Sequence, residues 1–309
     1  MGELFTLPVL LGITYSGVRL ATPYLYAALG EMFAQRSGVL NLGVEGIMLM
    51  GAYAAFFAAM NTGNLWLGLL AAAVTGLLMG LLMAVVSVTL QGQQGISGIG
   101  LHLFGLGLSS LLFKKTLGSV ESISGFQPIR IPLLGDLPLV GEALFNHNLL
   151  VYSAFLLVPV AWWVLNRTTL GLKIRAVGEK PEAADSLGVS VTRIRYLTVG
   201  LGGVLAGVAG ASLSIALINL FQENMTNGQG FIAVALVYFG GWNPVGVLGG
   251  ALLFSFVNAL QLWIQVKGIN LPSDVAVMLP YILTIAALAV GRRSQQPAAL
   301  SKPFERGEN

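Results

Sequence analysis

Several unbroken apolar runs of about 20 residues constrain this chain more than anything else in it, because a helix of about that length crosses the hydrocarbon core of a bilayer. In order they cover Val9–Gly30, Val39–Met60, Leu65–Leu90, Ile96–Phe113, Leu149–Leu165, Tyr196–Leu217, Val247–Val266 and Val275–Val290. A further run, Phe231–Gly241, is too short to cross upright and ends in the turn Gly241-Trp242-Asn243-Pro244-Val245-Gly246. None shows the polar alternation of a barrel strand, so the spans are helical. The expected fold is an all-α polytopic membrane protein of about 8–9 transmembrane helices, with a short or broken segment near residues 229–243. A mean hydropathy of +0.80 takes the chain out of the soluble globular class. The 40 glycines then read as close helix packing, as in the pairs Gly203/Gly207 and Ala206/Gly210 of the sixth run.

Charge gives the orientation. Only 9% of residues are charged, yet six Lys or Arg fall between Arg167 and Arg195. A basic loop of this kind belongs on the cytoplasmic side, and so does the tail that starts at Arg292 and Arg293. Counting back places loop 118–148 and the N-terminus outside, with Arg36 and the break Gln91–Gly95 inside. Lys114 and Lys115 then fall outside, against the rule. This gives one transmembrane domain over 1–291, with a cytoplasmic loop 167–195 and an external loop 118–148 stiffened by Pro128, Pro132 and Pro138. The tail, 292–309, is polar and expected to be disordered. The net charge of +3 and pI of 9.2 come from these loops and imply no nucleic acid. Met1 to Pro8 has no basic n-region or small-residue cleavage site and does not read as a signal peptide. With no Cys, two His, no Walker glycine loop and no HExxH spacing, neither ATP hydrolysis nor metal chemistry is expected on this chain.

Within the basic loop, Pro181 suits a first helical position, Glu182 and Asp185 suit a helix N-terminus, and Gly188 suits its stop. Ala183 and Ala184 would give that short helix a smooth face able to enter a groove. Polar groups inside spans must face protein or water. Arg19, Glu31 and Glu45 can form an internal ion pair, the preferred reading for Arg19. Asn41 and Glu45 lie among Gly38, Gly43 and Gly46, which permit a broken helix whose N–H groups are offered to a polar solute. Gln94 and Ser97 open the fourth run, and His102 within it reads as a packing residue rather than a proton relay. Ser255, Asn258, Gln261 and Gln265 share one helix face, which can line a solute path or hydrogen-bond a neighbouring helix.

Glu182-Ala183-Ala184, three residues, then Gly188 matches the cytoplasmic loop signature of ABC importer permeases. The stretch Arg36–Gly51 resembles, more narrowly, permeases of the branched-chain amino acid and ribose superfamily, in the branch associated with nucleosides. Arg19–Pro23, Leu172–Val189, Gly230 to Pro244 and Leu279–Thr284 resemble the same group. The resemblance implies a type II ABC importer-like permease in a bacterial plasma membrane, with ATP and Mg bound on a partner ATP-binding subunit. It also implies a second homologous permease and an external substrate-binding protein, which loop 118–148 would help to dock. Coupling to the ATPase would rest on Pro181, Glu182, Ala183, Ala184 and Gly188. The solute path would use Asn41, Glu45, Gln94, Ser97, His102, Asn258 and Gln261. Nucleosides are the expected solute; simple sugars and flavin-like vitamins use close relatives. The rival classes are an ion-coupled secondary transporter built on Glu45 and His102, and a channel or scaffold subunit.

Overall fold

The computed structural model describes residues 6–132, 135, 137, 141–266, 278, 282 and 296–305. The last apolar run, 275–290, falls outside the described residues except for Met278 and Ile282. Helix α1 spans Leu7–Arg36, with a proline in its first turn, where the missing N–H is not needed. After a seven-residue break comes α2 (Val44–Thr62), then α3 (Leu65–Ala84), whose first turn is capped by the Asn64 side chain. A π-helical turn, Val85–Thr89, extends α3, and α4 covers Gln94–Thr116. Loop 118–148 holds a two-stranded antiparallel pair, β1 (Ile129–Arg130) with β2 (Asn146–His147), and the short helix α5 (Gly141–Phe145). Then follow α6 (Leu149–Arg167), α7 (Thr169–Glu179), α8 (Pro181–Ser186) and α9 (Val191–Ser212), which runs on through a π turn to Leu217. Helices α10 (Gln229–Phe239) and α11 (Pro244–Val266) complete the described bundle.

Among the described residues, α2, α3, α4, α6, α9 and α11 are long and apolar enough to cross a membrane. Helix α1 is 30 residues long and carries Arg19, Glu31 and Arg36, and α10, at 11 residues, is the expected short segment. The chain is thus an all-α polytopic bundle. Its second span starts at Val44, five residues later than the apolar run, because residues 37–43 are not helical.

Helix α9 is the hub, packed against α1, α2 and α3. A Cβ at Gly203 would press on the Gly76 carbonyl, one at Gly207 on Ala72, and one at Gly210 on Met48. These helices meet backbone to backbone, which requires the small-residue pairs read from the sequence. Apolar side chains that no core claims cover the outside: Leu70, Val74 and Leu78 on α3, Leu103 and Phe104 on α4, Leu156 and Trp163 on α6. An apolar exterior of this extent suits lipid or another membrane subunit.

The two ends of α1 mark opposite faces of the molecule. Near its start, Pro8, Leu11 and Tyr15 share a cavity of about 650 Å³ with Arg130, Glu142 and Asn146 of the hairpin loop. His147 is buried there, stacked on Tyr15 at 4.8 Å with its Nε2 2.9 Å from the Ala143 carbonyl. Near the other end of α1 lie the basic loop and residues 296–305. The tail corrects the sequence expectation: over these residues it is docked, not disordered. Ala299 and Leu300 are buried, the Ala299 N–H donates to the Gly178 carbonyl at 2.9 Å, and the Ser301 N–H donates to Gly38 at 3.1 Å. Its polar composition gives no hint of this, because the bonds use the backbone. Lys114, on the face where lysines are unexpected, pairs with Glu223 at 3.5 Å.

Candidate functional site

Helix α10 fixes the depth of everything around it. Its last turn leads to Trp242, whose indole N–H donates to Gln35 Oε1 at 2.8 Å, while its carbonyl accepts from Arg36 Nε at 2.8 Å. Its first turn sits on Glu45, at the start of α2. Eleven residues at 1.5 Å each make α10 about 16 Å long, so segment 37–43 runs back into the bundle alongside α10 by about that length. Seven extended residues reach roughly 23 Å, enough for the return. Non-helical backbone at such depth must be covered by protein, and here it is. Gln94 Oε1 accepts the Leu40 N–H at 2.7 Å, Glu31 Oε1 accepts the Asn41 N–H at 2.9 Å, and Asn41 Oδ1 accepts the Gly43 N–H at 2.9 Å. Gln35 Nε2 also donates to Glu31 Oε1, closing a buried chain Trp242–Gln35–Glu31–Asn41.

Glu45 is 1% exposed and bonds entirely to the approach to α10. Its Oε1 accepts from Thr226 Oγ1 at 2.6 Å and the Gly228 N–H at 2.7 Å, and its Oε2 accepts from the Gly230 N–H at 2.5 Å. A carboxylate at a helix N-terminus satisfies free N–H groups and complements the dipole. The α10 backbone packs so closely here that a Cβ at Gly230 would lie 2.5 Å from the Glu45 Cα. Helix α10 thus covers the start of α2. The ion-pair expectation is corrected. Glu45 forms no pair with Arg19, whose Nη2 instead donates to the Leu217 carbonyl at 3.2 Å, where a cation complements a helix C-terminus.

The other expected path residues are dispersed. His102 lies on α4 with its ring edge against Phe231 of α10, at 5.1 Å between centroids, and its backbone lies against Gly46. Ser97 donates to the Gln93 carbonyl within its own helix and lines a cavity of about 230 Å³ between α3 and α4. The α11 stripe does not keep to one environment: Ser255 and Gln261 are buried, Asn258 is half-buried and Gln265 is exposed. Asn41, Glu45, Gln94 and His102 therefore meet at the α2–α4–α10 junction, while Asn258 and Gln261 belong to a different face. The sequence reading missed Gln35, Thr226 and Trp242, which complete the junction; a Gln at a span end and a Trp in a turn carry no signal of being about 200 residues apart and bonded.

At the basic face, α8 begins at Pro181, as expected, and ends before Gly188, whose φ of +82° is left-handed. Its surface corrects the sequence reading. Ala184 is buried against the chain's own core, while Glu182, Ala183 and Ser186 are exposed and Leu187 is 83% exposed. The face turned outward is Glu182–Ala183 with Leu187, not the Ala183–Ala184 pair. Behind it, Gly178 of α7 rests against the Arg36 carbonyl, so α7 abuts the start of the re-entrant segment.

A short exposed helix on a rigid base, behind a broken span, is what the loop motif leads one to expect, and comparison with known proteins decides the matter. Residues 13–288 match the family described as the branched-chain amino acid transport system permease component. The chain belongs to this family. Three relatives match nearly end to end. A glucose ABC transporter permease protein of Haloferax volcanii is 42% identical, over 96% of this chain and 98% of the relative. The guanosine ABC transporter permease protein NupQ of Bacillus subtilis is 34% identical, over 93% and 94%. The nucleoside ABC transporter permease protein NupC of Lactococcus lactis is 35% identical, over 87% and 89%. No solved structure matches this permease. Its nucleoside-type relatives are those to which the motif at Arg36–Gly51 pointed.

Proposed function

We propose that this chain is the permease subunit of an ABC importer for nucleosides, moving solute with ATP and Mg bound on a partner subunit that grips the exposed face of α8. The observation that carries the reading is the pairing of that face with family membership: an exposed Glu182–Ala183–Leu187 surface, in a segment with the coupling signature, fixed through α7 to the re-entrant segment. The junction chemistry suits an uncharged solute. Glu45 already takes N–H groups at the start of α10, so that helix end offers no place to a carboxylate or phosphate. Hydroxyls and ring nitrogens need hydrogen-bond partners rather than counter-ions. Bacillus subtilis has two guanosine permease relatives of this chain, NupQ and NupP, which supports pairing with a second, non-identical permease.

The Haloferax relative favours a second reading, glucose. Reconstitution with the ATP-binding subunit, second permease and binding protein tests both. ATP-dependent uptake of labelled guanosine that excess glucose leaves unchanged is the expected result; uptake of glucose alone moves the assignment to sugars. Uptake that needs a pH gradient and no ATP would overturn the importer reading and restore the ion-coupled one.

A further inference from the structure

Residues 296–305 touch four separate parts of the basic face. Ala299 donates its N–H to Gly178, and Ala298 donates to Glu179 Oε2 at 3.4 Å, both at the end of α7 and directly before α8. Ser301 donates to the carbonyl of Gly38, at the start of the re-entrant segment. The buried Arg195 of α9 donates through Nη1 to Lys302 at 3.1 Å and through Nε to Ser37 at 3.2 Å, holding tail and segment with one guanidinium. Gln91, before α4, donates to the Phe304 carbonyl at 3.4 Å. Turns within the tail, Leu300 to Pro297 and Lys302 to Ala299, and a left-handed Ser301 at φ +63° give it a defined shape. Gly38 has no room for a side chain beneath it: a Cβ there would lie 3.0 Å from both the Ala299 carbonyl and Arg195 Nη2.

We propose that residues 296–305 are a strap that joins the α7–α8 element to the α1–α2 re-entrant segment, so that displacement of α8 is carried to the break between α1 and α2. The physical basis is the division of its bonds. The end of α7 and the start of segment 37–43 each hold the strap by backbone hydrogen bonds, and neither can shift alone without breaking them. Arg195 sits between the two and is anchored on both Ser37 and Lys302. Breaking these bonds leaves buried polar groups unpaired, so the strap and its anchors move as one piece. The proposal rests on α8 being the surface the ATP-binding subunit grips.

The test uses the reconstituted complex and reads three quantities: retention of the ATP-binding subunit, ATP hydrolysis, and solute moved per ATP. A chain ending at Gln295 is expected to assemble and hydrolyse ATP, with solute per ATP falling on the order of tenfold, as for loss of an ordinary coupling energy. Ser301→Pro removes the N–H bonded to Gly38 and cannot adopt the positive φ, so it should lower the same ratio while leaving the chain full length. The protein has no native cysteine, so the pair Glu179→Cys and Ala298→Cys can be oxidised selectively to pin the strap to α7. Pinned complexes are expected to transport at the unmodified ratio. Unchanged solute per ATP in Ser301→Pro, or a block on oxidation, would overturn the strap, the latter by showing that the tail must leave its seat. If the unmodified chain fails to retain the ATP-binding subunit, the importer reading fails instead, and the two failures are distinct.

Discussion

Glu45 shows how a single buried carboxylate can be structural in a protein whose work is transport. Its three hydrogen bonds tie α2 to a segment about 180 residues away. Glu45→Ala leaves two backbone N–H groups and a hydroxyl unpaired, and should cost about 3 kcal/mol of stability. Glu45→Gln retains the shape but presents an NH2 where an acceptor is required, and should cost less than Ala. Thermal unfolding in detergent checks both; a Tm equal to that of the native protein, with uptake lost, would return Glu45 to the solute path. His147 gives a pH prediction. Burial lowers its pKa below the ordinary 6.5; the hydrogen bond to the Ala143 carbonyl opposes this in part, and nearby Arg19 adds a lesser push downward. The folded imidazole is therefore neutral where the unfolded one binds a proton. The stabilisation is complete above about pH 6.5 and is lost as pH falls below it. Protection of the hairpin amides against hydrogen exchange, after correction for the intrinsic slowing of exchange at lower pH, should fall between about pH 7 and 5, and His147→Phe should flatten that dependence.

At the scale of the element, α8 separates two effects that sequence alone merges. Trp at Ala184 overfills the chain's own interior and should cost about 1–3 kcal/mol of stability, so its effect on coupling cannot be read cleanly. Ala183→Trp and Leu187→Asp change only the exposed side. They should leave the yield and Tm of folded protein unaltered while lowering ATPase-subunit binding, measured by co-purification. The limits of α8 were legible because Pro181 and Gly188 act locally; its buried side was not, since burial depends on α7 and α9 arriving from elsewhere. The small-residue face of α9 was legible for the same local reason, four-residue spacing of small side chains; its partner α3 was not. Gly207→Leu should separate the two helices and abolish the folded species by size-exclusion chromatography. The Glu45 cap was not legible, because a carboxylate among glycines fits a solute site and a helix cap equally well until its partner is known.

On the scale of the whole molecule, contacts put the hairpin loop at one end of α1 and the tail with the basic loop at the other, the two-sided order that the charge pattern gives. Single cysteines at exposed Glu142 and Glu305 should be labelled by a membrane-impermeant reagent from opposite sides of sealed vesicles. Labelling of both from one side would refute that order. The apolar runs and basic loop carried the architecture; the docked tail could not be anticipated, because its attachment uses carbonyls and amides that every residue has. That attachment bears on how the protein is made. Residues 296–305 leave the ribosome after all the described helices, yet they are bonded to Gly38, which emerges early. The surface around α7 and α8 is consequently completed only after the described helices have been made, whatever the order in which they insert. A chain cut short before residue 296 would carry all its described helices and still lack the seam between α7 and Gly38.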